Sequence, residues 1–320
     1  MTLSAEPQEH PAAGTRSIED LLGPSEERYF AAGYRGVQYA LEAARVGSSH
    51  LTKGVGRVAY PLHWSAGRNG TPATPHLSSV DAVVLSLQLA EIASPSVSTL
   101  SLEDLRVGAI ELRAGARPWL AVDAVPITLA VEPHAESCSL IGNVGNMRVR
   151  IELVRAVPSP RSVQLPPPTA NETVYGGLFQ SANAQSLIQS LDTNLGILRG
   201  THTIEVTSPR TPADGVEALL WPSPTVIDYL VTMGQLTQAL VYSSAGTTRS
   251  EAGSLWMRTM NIRIQGHPRP FPVRFDTTTT ILHDRVLDRG GNRIHDVLVE
   301  SSATSGVTAR STLAYEESHA

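Results

Sequence analysis

Lysine is nearly missing from this chain: Lys53 stands against 24 arginines. A Schiff-base reaction would therefore run through Lys53 or not at all. Cysteine is as scarce. Cys138 is alone, which excludes an internal disulfide and a thiolate metal cluster, and it reads as a buried side chain. The ten histidines show no H-x-x-x-H spacing, so neither a metal nor another cofactor is expected. G-x-S-x-G, the P-loop and G-x-G-x-x-G are all absent, which argues against a serine acyl-enzyme and against a nucleotide fold. Direct transfer between bound substrates is left. Net charge is −5 with a pI near 6.1 and no basic stripe. Nucleic acid is not an expected partner, and an anionic substrate would need a local arginine pocket. No apolar run approaches a membrane span. Met1 to Arg16 has no apolar core of a secretory signal. These absences give a cytoplasmic protein without a membrane partner, either monomeric or a homodimer.

What is present is organised by proline and by repetition. Residues 159–170 include Pro160 and Pro166-Pro167-Pro168, a density that resists helix and central strand alike and reads as a linker. The flanking halves match. Pro75, Ser78, Asp81 and Gln88 correspond to Pro222, Thr225, Asp228 and Gln235 at one offset with no gap. Gly115-x-Arg117-Pro118-Trp119 then corresponds to Gly266, Arg269, Pro270 and Phe271, and Gly145-Asn146 to Gly291-Asn292. A series in one order is the mark of an internal duplication. The expected organisation is a disordered tail over 1–16, a first unit over 17–158, the linker, a second unit over 171–310 and a tail over 311–320.

Each unit reads as one helix followed by strands. Val80, Val83, Val84 and Leu87 recur at helical spacing within Ser79 to Ala93, and Ile227, Leu230 and Val231 within Val226 to Tyr242. Strands are expected at Leu105–Leu112, Trp119–Val131 and Met147–Val154, then at Leu255–Ile264, Val273–Leu282 and Arg293–Glu300. One helix before an antiparallel meander is the hotdog order. The expected fold is α+β, a tandem double hotdog, each half an antiparallel sheet wrapped around one central helix. The sheets of such pairs join across the middle, which removes two edges.

Candidate site residues cluster near the helix starts. Ser78-x-x-Asp81 and Thr225-x-x-Asp228 are capping boxes, so Asp81 and Asp228 either close their helices or face a polar substrate as well. Gln88 and Gln235 follow seven residues later, about 10.5 Å along the axis on one face. They are core hydrogen-bonders or substrate contacts. His50 and His202 hold comparable places ahead of each helix. His63 and His76 flank the first helix start, and Glu91 lies on that helix. The unrepeated His63, His76 and Glu91 are the stronger candidates for chemistry at a single site between the copies.

Ser17-Ile18-Glu19-Asp20-Leu21-Leu22-Gly23-Pro24, Arg28-Tyr29-Phe30, Gly33-Tyr34, Tyr60-Pro61, Trp64-Ser65, Pro75 to Asp81 and Asp228-Tyr229-Leu230-Val231 resemble the avirulence-D family of syringolide-biosynthesis proteins. The resemblance runs from about Ser17 to Glu300. That family is similar in turn to the A-factor-biosynthesis hotdog proteins. Their helix motif is replaced here by Gln88-Leu89-Ala90-Glu91 and Gln235-Leu236-Thr237-Gln238. The resemblance implies a condensing enzyme of secondary metabolism that makes a signalling molecule. A β-ketoacyl thioester, on coenzyme A or a carrier protein, would be joined to a ketose such as xylulose or dihydroxyacetone phosphate and closed to a butenolide. In that scheme His76, His202, Asp81 and His63 carry the chemistry. Gln88, Asp228, Gln235, Glu91 and His50 bind substrate. The competing readings are a double-hotdog dehydratase or thioesterase, and a non-catalytic binder of acyl or lactone ligands.

Overall fold

The computed structural model describes residues 15–45, 51–67, 70–93, 96–97, 100–157, 172–206, 213–252, 255–289 and 292–316. The Pro-rich linker, residues 1–14 of the expected N-terminal tail and residues 317–320 lie outside these. The first half contains β1 (Arg16–Ser17), α1 (Glu19–Leu22), β2 (Gln38–Arg45), β3 (Leu51–Ala59) and α2 (Ser79–Ala93). It continues through the two-residue strands β4 (Ser96–Val97) and β5 (Leu100–Ser101) to β6 (Leu105–Arg113), β7 (Val125–Pro133), β8 (Ser137–Val144) and β9 (Met147–Arg155). The second repeats the order with β10 (Ala182–Asp192), β11 (Ile197–Val206), α3 (Val226–Ser244), β12 (Trp256–Ile264), β13 (Val273–Arg289), β14 (Asn292–Ala303) and β15 (Val307–Glu316).

Both halves share one sheet. Outward from its middle the order is β6-β9-β8-β7-β3-β2 on one side and β12-β15-β14-β13-β11-β10 on the other, with β1 outside β10. The pairing that joins them is β6 with β12, antiparallel, with Ile110 opposite Ile262 and Leu112 opposite Met260. β6 and β12 carry bulges at matching places, between Val107 and Ala109 and between Met257 and Thr259. The chain is a tandem double hotdog of α+β class, and its sheets do join across the middle.

The helices form where apolar side chains occupy every face. Val80, Val83, Val84, Leu85, Leu87 and Leu89 are all fully buried, so α2 is apolar all round, as a helix enclosed by protein must be. Close approach of the sheet depends on glycine. A Cβ on Gly56 of β3 would lie 2.9 Å from Leu85 Cδ2. Counting from Gly54 and Gly200, which face Ile127 and Thr277 across the ladder, the position of Gly56 is held in β11 by His202. The helix position matching Leu85 is the shorter Thr232. Bulk has moved from helix to strand between the copies.

The leading segments are exchanged. Residues before β2 pack on α3, and residues before β10 pack on α2. Gln235 Nε2 donates to the Phe30 carbonyl at 3.0 Å, and Gln88 Nε2 to the Tyr175 carbonyl at 2.8 Å. Phe30 and Tyr175 are themselves equivalent, each four residues before the stacked pair Tyr34 and Phe179, whose centroids are 6.4 Å apart. The duplicated glutamines therefore form one reciprocal clasp.

Several boundaries differ from the sequence reading. Residues 119–124 are loop, and the strand starts at Val125. β8 and β15 were not expected, and two strands precede each helix, β2 and β3 before α2 and β10 and β11 before α3, where the sequence reading puts the helix first. β15 runs to Glu316, so residues 311–316 belong to the sheet rather than to a tail.

The clasp predicts unequal costs. Gln235 also accepts a hydrogen bond from the buried Arg28 guanidinium, whereas Gln88 holds a carbonyl alone. Gln235→Leu is expected to cost about 2–4 kcal/mol and Gln88→Leu about 1–2 kcal/mol, read as midpoint shifts in urea unfolding.

Candidate functional site

A cavity of about 480 Å³ lies between the start of α2 and the side of α3. Leu230 and Met233 of α3, Met257, Met260 and Ile262 of β12 and Leu313 of β15 form its apolar wall. The loops around Ser65, His76 and Trp119 close the other side. Both halves supply polar and apolar lining.

The polar end is built on the first turn of α2. The Ser78 backbone N–H donates to Asp81 Oδ2 at 2.7 Å, and the Asp81 N–H donates to Ser78 Oγ at 3.1 Å, the reciprocal capping box the spacing predicts. Three tyrosine hydroxyls converge on the same carboxylate. Tyr29 and Tyr39 reach Oδ1 at 3.1 and 2.8 Å, and Tyr60 reaches Oδ2. Burial pushes the Asp81 carboxyl up from its ordinary value, opposed by these donors. Burial, reinforced by the Asp81 charge, pushes the tyrosines up as well, so they stay protonated as donors. Asp81 itself is fully buried. Its influence reaches the cavity through Tyr29 and Ser78, which line it and share a 2.6 Å hydrogen bond.

His76 lines the cavity directly. Its ring stands between Trp64 and Trp256, at centroid distances of 5.8 and 5.9 Å. Nδ1 lies 2.9 Å from the Thr74 carbonyl. A carbonyl only accepts, so Nδ1 carries the proton and the neutral ring keeps its lone pair on Nε2. Tyr60 Oη lies 2.6 Å from the His76 carbonyl and also within reach of Asp81 Oδ2, so its one hydrogen is shared between two acceptors, which couples the histidine's loop to the cap.

The other expected site residues stand elsewhere. His63 is exposed on the preceding loop and does not line the cavity. His202 is a core residue, with Nδ1 2.7 Å from Ser186 Oγ and Nε2 2.8 Å from Thr277 Oγ1. Burial pushes its imidazole down to about 4. With both nitrogens engaged it has no free base to offer. Gln88 and Gln235 form the clasp. Glu91 accepts the Val216 N–H at 2.9 Å, tying α2 to a loop of the second half, and burial lifts its carboxyl to about 7. Asp228 accepts from the backbone and hydroxyl of Thr225, closing α3, and burial lifts it to about 6. His50 lies outside the described residues. His76 is thus the one candidate that lines the cavity, with Asp81 behind it. Tyr29, Tyr60 and Arg249 were missed as site residues. Only the capping box signalled where the tyrosines would point.

In the other half the equivalent of the wall beside Met257 is filled, and a second pocket opens farther out, against Tyr229, Gly266, Arg269 and Ser305. Glu217 Oε2 accepts the Tyr175 hydroxyl at 2.6 Å, and Oε1 accepts the Val107 N–H at 3.0 Å. Val107 corresponds to Met257 by the bulge. Tyr175 is fully buried and Glu217 nearly so. A buried carboxylate and a tyrosine occupy what is open space beside Met257.

Fold and cavity define a double-hotdog protein with a largely apolar pocket lined by both of its halves. The chain belongs to the family of the Pseudomonas avirulence D protein (AvrD), whose model matches residues 14–317. No curated protein matches it. Among solved structures it is similar to a hot dog fold protein of unknown function from Alicyclobacillus acidocaldarius, at 12% identity and TM-score 0.43, covering 88% of this chain and 97% of that one. It is also similar to an acyl-CoA thioesterase II from Mycobacterium marinum, at 12% and 0.39 over 87% and 97%, and to a 12:0-ACP thioesterase from Umbellularia californica, at 11% and 0.39 over 88% and 94%.

Burial lifts the Glu217 carboxyl to about 7 from an ordinary 4.5. The folded chain therefore holds this proton more tightly than the unfolded one, and the stability it contributes is full below pH 4.5 and lost as pH rises through 7. Glu217→Gln keeps an oxygen acceptor for Val107 and, like the protonated carboxyl, presents a donor to the Tyr175 oxygen. The variant is expected to match the parent at pH 4.5 and to exceed it by on the order of 2 kcal/mol at pH 8, measured by urea unfolding at both pH values.

Proposed function

We propose that this chain is an enzyme acting on acyl thioesters, an acyltransferase and cyclase that joins a β-ketoacyl thioester to a small ketose and closes a butenolide. The observation that carries this reading is a cavity with a largely apolar wall, where a histidine whose Nε2 has no partner among the described residues stands beside a helix N-terminus. An acyl chain fits the methionine-lined wall. The thioester carbonyl would then sit at the start of α2, where first-turn N–H groups and the helix dipole stabilise a developing negative charge.

The chemistry needs one base used twice. The ketose hydroxyl attacks the thioester carbonyl, the C–S bond breaks, and the thiol leaves with the hydroxyl proton. The carbon between the two carbonyls of the new ester is acidic, so an imidazole suffices to remove its proton. That carbon adds to the ketose carbonyl, and loss of water leaves the unsaturated lactone. His76 Nε2 takes the proton in this scheme. Tyr29 and Ser78, polarised by Asp81, hold the hydroxyls of the acceptor. Family membership supports the same assignment, through the syringolide-biosynthesis proteins that the chain resembles.

The test is incubation with a β-ketoacyl thioester and a panel of ketoses, followed by mass spectrometry. Ketose-dependent thiol release with a product of acyl plus ketose less water is the expected result. Thiol release that ignores the ketose would instead mean hydrolysis, and no thiol release a binding protein. His76→Ala is expected to lower turnover about 10²–10⁴-fold with unchanged unfolding. His63→Ala should leave turnover intact. His202→Ala should lose stability while each folded molecule keeps its activity.

A further inference from the structure

Arg249 has no role in the scheme above. It follows α3 in the second half, is half-buried, and lines the cavity. Nη2 donates to Ser65 Oγ at 2.9 Å and to the Ala66 carbonyl at 2.7 Å. Those bonds use both hydrogens of that nitrogen. A guanidinium has five N–H donors, so the three on Nε and Nη1 remain. No carboxylate of the described residues lies within 4 Å of it. The charges that influence it are those of Glu27, Arg28 and Tyr242, and burial pushes its pKa down. A cation held in an apolar cavity without a carboxylate partner costs desolvation energy that an anionic ligand would offset. Position supports this. Arg249 is bonded to Ser65 and Ala66, while His76 packs on the neighbouring Trp64, so both groups stand along one wall. The chain as a whole is acidic, so attraction for an anion has to be local.

We infer that Arg249 is the anion-binding residue of this cavity and that the co-substrate carries a phosphate or carboxylate which it holds. The inference rests on the cavity being the substrate site of the proposed function. It selects an anionic ketose over a neutral one.

The experiment is direct binding to the full chain by calorimetry at fixed ionic strength, with glycerol 3-phosphate, glycerate and glycerol as probes. Glycerol 3-phosphate or glycerate is expected to bind at least tenfold tighter than glycerol, and the phosphate and carboxylate arms separate the two sources. Arg249→Gln should weaken the anion at least tenfold, and Arg249→Lys should weaken it less. Ser65→Ala breaks one strap bond, keeps the guanidinium, and should retain the anion, which separates binding from loop support. An anion affinity no greater than that of glycerol would overturn the inference. So would unchanged affinity in Arg249→Gln, or an equal loss in Arg117→Gln at the cavity rim. If neutral ketoses are turned over as well as phosphorylated ones, this inference fails while the condensing reaction stands. If no ketose is turned over yet the anion binds through Arg249, the reverse holds.

Discussion

The pairing of β6 with β12 sets the geometry of everything else in the molecule. It fuses two sheets into one, with the two bulges toward opposite ends of the shared pairing. It also brings the start of α2 against the flank of α3. Neither half could make the cavity alone. One contributes the cap, His76 and the aromatic loop, and the other contributes Met233, Met257, Met260 and Arg249. The glutamine clasp locks this arrangement, because each leading segment is held by the helix of the other half.

A duplicated scaffold offers two equivalent places for a site, and in this chain the two have diverged. Around Asp81 three tyrosine hydroxyls supply donors, so the carboxylate is satisfied and its neighbours Tyr29 and Ser78 face the cavity. Around Asp228 the partners are those of Thr225. The space that would answer to the cavity is taken by Glu217 and Tyr175. Filling one place removes a void that would cost packing energy and leaves the other free to specialise.

The sequence was most legible where the two copies agree. Matching capping boxes located both helix starts to the residue, and the offset between them gave the duplication. The strands before each helix were harder to see. β3 carries Gly54 and Gly56, which weaken a strand pattern yet are what lets Leu85 and Leu89 approach. β8 mixes serine, cysteine and glycine with its apolar residues and shows no clean alternation. The site was legible only in part. His76 was found because it sits beside a cap. His202 misled because its matching position is Gly56 rather than His50, and its role is to fill space that Leu85 fills in the other half. Arg249 comes from a loop far along the chain. Only the fold brings it beside Ser65.

The central claim is that an acyl chain lies along the methionine wall at the junction of the halves. Photolabelling with a β-ketoacyl thioester that carries a diazirine at its tail, followed by peptide mapping, tests it most directly. The account predicts label on Met233, Met257 or Met260, displaced by unlabelled thioester. Label around Tyr175 and Glu217, or none that unlabelled thioester displaces, would contradict it.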